Sequence, residues 1–190
     1  MKDFSSYFVG IPLPTTLQED YEALLKTVGL ISNNIEVVNS QTPHITIYYL
    51  AKFPKLIPSH VAEILKPEVN SLVNSVVTVG KFGFFGGENP KTIFLDTKCP
   101  ESLIRFRKTI SKFLVKNSAQ DNFMPFYPHM TVAKVKNENY IEEFINLQPK
   151  LKELLDCISW KFPITELALY GANSTQSPEY QEKLAVIPIS

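Results

Sequence analysis

The chain has 190 residues, of which 44% are hydrophobic and 12% aromatic, enough to bury a substantial core. Its 19 basic and 19 acidic residues balance, which argues against a protein that holds long nucleic acid through many phosphates. We therefore expect a small or locally contacted ligand and a single domain spanning residues 1–190.

The cysteine pattern and the N-terminal segment predict where the protein works. Cys99 and Cys157 show no metal-binding spacing, so reduced thiols are expected. The first residues carry an acid where a signal peptide would be basic, and no segment approaches the length of a membrane span. These features predict a cytoplasmic, monomeric protein that binds neither membranes nor DNA.

The first half of the sequence predicts strands alternating with helical segments, from apolar runs and from apolar side chains at helical spacing. In chain order the expected elements are strand Tyr7–Leu13, helix Leu17–Val28, strand His44–Leu50, helix His60–Ser75 and strand Val76–Phe85. Thr16 with Glu19 three residues later predicts a capping box at the first helix. Pro67 is expected to break or kink the second helix, because proline lacks the amide donor.

The second half repeats the order of strand, helix and strand and adds a closing segment. The expected elements are strand Thr92–Thr97, helix Ser102–Lys116, a strand from His129 to about Lys136, short helices Tyr140–Leu147 and Pro149–Leu155, and strands Phe162–Tyr170 and Tyr180–Ile189. Together these elements predict an α+β fold with two sheets, each backed by helices.

The motif His-x-Thr occurs twice, once in each half, and the two copies use two of the three histidines. They are His44-Ile45-Thr46 and His129-Met130-Thr131, each preceded by proline. Similar apolar stretches, Phe8–Pro14 and Phe94–Pro100, precede the two copies at nearly the same distance. This pattern indicates an internal duplication and predicts one active site between two related lobes.

The motif suits displacement at phosphorus. Side chains alternate faces along a strand, so His44 shares a face with Thr46, and His129 shares one with Thr131. Across one cleft, one histidine could remove a proton from the attacking oxygen while the other protonates the leaving oxygen. The threonine hydroxyls could bind the non-bridging phosphate oxygens. No metal is needed in this scheme, and no cofactor is expected.

Three further residues bear on the predicted site. Asp96 lies in the second repeat, but its counterpart in the first is Gly10, so a repeated metal ligand is not predicted. Tyr127 could stack on a nucleobase, with core packing as the alternative. Strict alternation places Lys134 on the face opposite His129, so contact with phosphate would require a strand end or a bulge, and a solvated lysine is the alternative.

The chain resembles the 2H phosphoesterase superfamily, and within it the bacterial 2′-5′ RNA ligase-like proteins. The resemblance rests on the segments 43–47 and 128–132 as the two signatures, on 7–14 as the first strand and on 167–188 as the closing hairpin. It implies a duplicated, bilobal fold in which two antiparallel sheets surround a central cleft. It also implies catalytic roles for His44 and His129 and phosphate binding by Thr46 and Thr131.

The same resemblance implies a substrate class, a nucleotide or an RNA end. The expected activity is a metal-independent phosphodiesterase that opens 2′,3′-cyclic phosphates or cleaves 2′-5′ linkages. The alternatives are a hydrolase of 2′-5′ or cyclic oligonucleotide signals of the viral or phage type, a 2′-5′ RNA ligase, and a non-catalytic module that binds RNA ends. Many ligase-like members have arginine where this chain has Lys134, which favours hydrolysis because lysine lacks the bidentate guanidinium.

Overall fold

The structure, a computed structural model, describes residues 4–51, 58–87, 91–116, 126–136, 140–173 and 180–190. These residues form strands and helices in the order β1 (Ser6–Pro12), α1 (Gln18–Gly29), β2 (Ile35–Val37), β3 (His44–Ala51), α2 (Pro58–Val69), β4 (Val76–Phe85), β5 (Thr92–Lys98), α3 (Glu101–Lys116), β6 (His129–Val135), α4 (Ile141–Asp156), β7 (Ser159–Pro163), β8 (Glu166–Asn173) and β9 (Tyr180–Pro188). The predicted α+β class is confirmed. Within the described ranges, no helix has the length and apolar character needed to cross a membrane.

The strands form two antiparallel sheets. The first has the order β3-β1-β8-β9 and the second the order β2-β6-β5-β4-β7. Helices α2 and α3 lie against strands of the first sheet, and α1 and α4 against strands of the second. Most buried apolar side chains of both sheets belong to one core cluster, and Phe8, Ala168, Tyr170 and Ala172 of the first sheet form a second. Strands β3 and β6, which begin with the two histidines, contact each other and so bring the two motifs together.

Both helices with an internal proline continue past it. Pro149 lies inside the continuous helix α4 instead of separating two short helices. Phe144 and Leu151 are buried on either side of Pro149, so packing offsets the lost hydrogen bond. In α2 the helix runs two residues beyond Pro67 and then tightens into a 3₁₀ turn at Asn70–Leu72.

The closing segment of the chain differs more from the elements predicted from the sequence. The predicted strand Phe162–Tyr170 is in fact two strands in different sheets, β7 and β8. Pro163 ends β7, which is the edge strand of its sheet, where a missing amide donor costs least. Strand β2 was not predicted, because three residues are too few to show an alternating pattern.

The predicted capping box does not form. Thr15–Leu17 forms a 3₁₀ turn, and α1 begins after it, at Gln18. Neither the turn nor the helix receives a side-chain capping hydrogen bond. Glu19 is instead one of two acidic residues in the first turn of α1, where they interact favourably with the helix dipole.

Candidate active site

Both motifs line one cavity of about 460 Å³ between the two sheets. His44 and Thr46 reach it from β3, and His129 and Thr131 reach it from β6. Residues between and after them, including Ile45 and Met130, are buried in the core on the other side. The alternation inferred from the sequence is therefore confirmed over the two motifs, and all four side chains face a common space.

The strand register shows which residues correspond in the two halves. Pro12 of β1 lies opposite His44, and Asp96 of β5 lies opposite His129. Asp96 therefore corresponds to Pro12, and the counterpart of Gly10 is Phe94, which lies opposite Thr131 as Gly10 lies opposite Thr46. The equivalence of Asp96 and Gly10 expected from the sequence was wrong by two residues.

Each motif strand has a β-bulge at the same place. Ile47 and Val132, each three residues after its histidine, have no directly opposed partner in the register of β1 with β3 and of β5 with β6. A bulge reverses the facing of every later side chain in its strand. Lys134, predicted on the opposite face unless a bulge intervened, therefore lines the cavity, and Tyr49 lines it at the corresponding position of the first motif.

In each half, a side chain on the helix donates a hydrogen bond to a backbone carbonyl at the bulge of the other half. The Tyr21 hydroxyl of α1 donates to the Thr131 carbonyl oxygen at 3.0 Å. The Arg107 Nε of α3 donates to the Ile47 carbonyl oxygen at 3.0 Å, and its guanidinium carbon lies 4.8 Å from the centre of the Phe126 ring. Ile47 is the bulge residue of its strand, and Thr131 directly precedes the bulge residue Val132, so each bond supports the backbone at a bulge.

Replacing Tyr21 by phenylalanine is expected to destabilise the protein by about 1–3 kcal/mol, because the Thr131 carbonyl would lose its donor in a buried setting. Urea unfolding at neutral pH measures this difference. Tyr180→Phe is a matched control, because the Tyr180 hydroxyl donates to the Glu182 carboxylate, which solvent can still reach. An equal loss in both variants would contradict the role assigned to Tyr21.

Both imidazoles are fixed through their Nδ1 atoms. The His44 Nδ1 lies 2.7 Å from the Thr42 carbonyl oxygen, and the His129 Nδ1 lies 2.8 Å from the Tyr127 carbonyl oxygen. A carbonyl oxygen can only accept, so each Nδ1 carries the proton. In its neutral form each ring then has an unprotonated Nε2, the atom required of a base, and in its cationic form Nε2 can donate.

Aromatic rings surround each histidine. The His44 ring lies 4.5 Å from the ring centre of Phe8 and 4.9 Å from that of Tyr170. The His129 ring lies 4.8 Å from that of Phe85 and 5.0 Å from that of Phe94. The rings limit the orientations open to each imidazole, so the direction of Nε2 is restricted by packing as well as by the Nδ1 bond.

The electrostatic environment of His129 favours its neutral form. Burial lowers its pKa below the ordinary value of 6.5, and this effect outweighs the Tyr127 carbonyl and the Asp96 carboxylate, which both act to raise it. At neutral pH the ring is therefore largely unprotonated, as a general base must be.

The lowered pKa of His129 has a consequence for folding. Below pH 6.5 the unfolded chain binds a proton at this residue more readily than the folded protein does. The free energy of unfolding is therefore expected to fall as the pH drops from 6.5 through the folded-state pKa, and to be fully retained above 6.5. Urea midpoints at pH 7.5 and 5.5 test this, and the difference should shrink in His129→Gln. An unchanged difference in that variant would place the effect elsewhere.

Tyr127, predicted to bind substrate, does not line the cavity. Its side chain is 50% exposed and packs edge-on against Phe85 and Phe94, beside His129. Phe85 does line the cavity. The aromatic ring beside His129 that lines the cavity is thus that of Phe85 and not that of Tyr127. Tyr127 instead supplies the carbonyl oxygen that fixes His129.

Other cavity residues were not predicted. Glu36 of β2 lies directly opposite Lys134 in the sheet, which places a carboxylate beside the lysine. Gln181 reaches the cavity from β9, the last strand of the chain. Neither residue belongs to a repeated pattern, so the sequence held no indication of either. Across the described residues, no three His, Cys, Asp or Glu side chains are grouped as metal ligands.

Comparisons with known proteins agree with this architecture. Residues 18–176 match the family model described as the 2′-5′ RNA ligase superfamily. The chain is 23% identical over 189 residues to an RNA 2′,3′-cyclic phosphodiesterase of Geobacillus stearothermophilus, covering 97% of this chain but only 57% of that protein. It is 22% identical to a protein of the same name from Bacillus subtilis, covering 93% of this chain and 92% of the relative.

Solved structures give the same fold. TT0787 of Thermus thermophilus superimposes with a TM-score of 0.73 at 16% identity, over 97% of both chains. Escherichia coli LigT complexed with 3′-AMP superimposes with a TM-score of 0.65 at 14% identity, over 99% of both chains.

Proposed function

Because the chain belongs to the 2′-5′ RNA ligase superfamily, we propose that it is a metal-independent phosphodiesterase acting on 2′,3′-cyclic phosphate ends or 2′-5′-linked nucleotides. One observation carries the proposal: two imidazoles, each held through Nδ1 and each beside a threonine, line the same cavity. The names of the two bacterial relatives support the cyclic phosphate as the first substrate to test.

The proposed reaction assigns a different role to each histidine. The neutral Nε2 of His129 removes a proton from water as the water oxygen attacks phosphorus. The bond from phosphorus to the 3′ oxygen breaks, and the cationic His44 gives its Nε2 proton to that oxygen. The product is a 2′-phosphate with a free 3′ hydroxyl. The lowered pKa of His129 supports its assignment as the base.

Three further groups stabilise the developing charge in this proposal. The hydroxyls of Thr46 and Thr131 donate to the non-bridging oxygens, and the Lys134 ammonium supplies a positive charge nearby. The bulge at Val132 supports this role for Lys134, because it turns the lysine toward the cavity. Lysine acts there as a point charge and not as a bidentate fork.

The size of the cavity supports a small substrate. About 460 Å³ is within the range of pockets that enclose one small ligand, and would hold a terminal nucleotide while longer RNA extends outside. The zero net charge of the chain agrees with recognition of an end and not of a long phosphate backbone.

The test is incubation with 2′,3′-cyclic AMP in the presence of EDTA, with the product identified by phosphorus NMR. We expect turnover in chelator and a 2′-phosphate product. A 3′-phosphate product would mean that the 2′ oxygen, and not the 3′ oxygen, is the leaving group. Activity that appears only after a divalent metal is added would overturn metal independence. A parallel assay with 2′-5′-linked and 3′-5′-linked diadenylate determines whether linear 2′-5′ bonds are also cleaved.

A further inference from the structure

The residue two positions before each histidine is held at two points. The carbonyl oxygens of Thr42 and Tyr127 each accept a hydrogen bond from the imidazole Nδ1–H. The Thr42 hydroxyl donates to the Gln181 Oε1 at 3.2 Å. In the second half, burial and the nearby Asp96 carboxylate raise the pKa of the Tyr127 hydroxyl. In both halves a polar side chain from another strand thus lies beside the residue two positions before the histidine.

We propose that Gln181 and Asp96 are positioning residues, which fix the tautomer and orientation of His44 and His129 through Thr42 and Tyr127. The proposal rests on the proposed function for its catalytic consequence. The hydrogen-bond geometry on which it depends is independent of any substrate.

In the first half, the anchor comes from the far end of the chain. Gln181 lies on β9, 139 residues after Thr42, and lines the cavity with it. Strands β9 and β3 form opposite edges of the first sheet, so the sheet must curl for the two side chains to meet. The amide adds a side-chain restraint to the segment that leads into His44, which the Leu13 amide also holds through the Pro43 carbonyl oxygen.

In the second half, the anchor lies beside the histidine. Asp96 is the residue directly opposite His129 in the sheet, and its Oδ1 accepts a hydrogen bond from the Thr97 amide at 2.9 Å. This bond holds the carboxylate in place near the Tyr127 hydroxyl, whose pKa the carboxylate helps to raise. Tyr127 is half exposed and packs edge-on against the rings of Phe85 and Phe94, so the nearby carboxylate adds a polar restraint to a side chain with few others.

Nitrogen NMR of the imidazoles, in protein without substrate and at a pH where the rings are neutral, tests the proposal. Wild type is expected to show the Nδ1–H tautomer at both His44 and His129. Gln181→Met removes the amide at similar length and should move His44 toward the Nε2–H tautomer while leaving His129 unchanged. Asp96→Ala should move His129 toward the Nε2–H tautomer while leaving His44 unchanged. Gln181→Glu and Asp96→Asn keep an acceptor oxygen and should retain the wild-type tautomers.

Kinetics supplies the second readout. Gln181→Met and Asp96→Ala are each expected to lower kcat about ten- to a hundredfold, with KM changed by less than about twofold, as for other groups that orient a histidine. Thr42→Val, which removes the same bond from its other end, should match Gln181→Met, and the double variant should be no worse than either.

Unchanged tautomers in both Gln181→Met and Asp96→Ala would overturn the proposal. A raised KM with an unchanged kcat in both variants would also overturn it, because it would mean that these side chains contact substrate directly. If either of these variants fails to fold, Thr42→Val and Tyr127→Phe test the same two links. The tautomer measurement needs no turnover, so it decides the proposal even if the proposed phosphodiesterase activity is absent.

Discussion

Alanine at position 129 is expected to lower kcat for 2′,3′-cyclic AMP by about 10²- to 10⁴-fold, and alanine at position 44 by a similar factor. His129→Ala removes the group proposed to accept the proton of water, and His44→Ala removes the one proposed to protonate the leaving oxygen. Because the two act in one step, the double variant should lose little more than the worse single variant. Initial rates at saturating substrate measure all three.

His60→Ala is the matched control for both variants. His60 is the third histidine of the chain and is exposed on α2, away from the residues that line the cavity. The His60→Ala variant should retain the wild-type rate. A wild-type rate in the His44 and His129 double variant would refute the proposed chemistry, provided that its unfolding midpoint shows an intact fold.

Replacement of Thr46 or Thr131 by valine is the second large expected effect, a fall in kcat of about 10²- to 10³-fold for each. Valine has nearly the shape of threonine but cannot donate a hydrogen bond to a phosphate oxygen. The loss should appear in kcat more than in KM, because charge on the non-bridging oxygens is best stabilised as the transition state forms. Steady-state kinetics separates the two parameters.

Serine at the same positions is the control, because it keeps the hydroxyl and removes only a methyl group. Thr46→Ser and Thr131→Ser are expected to recover most of the activity lost in the valine variants. If serine and valine were equally damaging, the methyl group and its packing would be responsible, and the hydroxyls would have no part in binding phosphate.

The two motif strands could be predicted closely from the sequence. Proline before each histidine and alternation after it indicated strands beginning at His44 and His129, and both begin there. The buried partners Ile45 and Met130 followed from the same alternation. The repeat indicated that the two strands would meet at one site, because two copies of a catalytic pair serve one reaction only when they share a cavity.

The bulges set the limit of that prediction. Alternation counts residues and cannot detect one that has no partner across the sheet, so it placed Lys134 on the wrong face unless a bulge was assumed. Tyr49 was missed for the same reason. The contact of Gln181 with Thr42 depends on the curl of a whole sheet, which no local pattern encodes.

Proline was the other source of error. Its local preference predicted two short helices on either side of Pro149, where tertiary packing of the flanking apolar residues keeps α4 continuous. At Pro163 the break was real but went unpredicted, because apolar residues on both sides suggested a single strand.

The exchange of helices between the halves bears on how such a molecule could arise. Tyr21, in the first half, completes the bonding of Thr131 in the second, and Arg107, in the second, does the same for Ile47 in the first. A primordial gene encoding one unit would therefore yield a product with an unmet acceptor and half a reaction centre. If two such products associated, the helix of each would pack on the other, and the dimer would have both the missing donor and a complete reaction centre. Fusion of the two genes would make that association permanent.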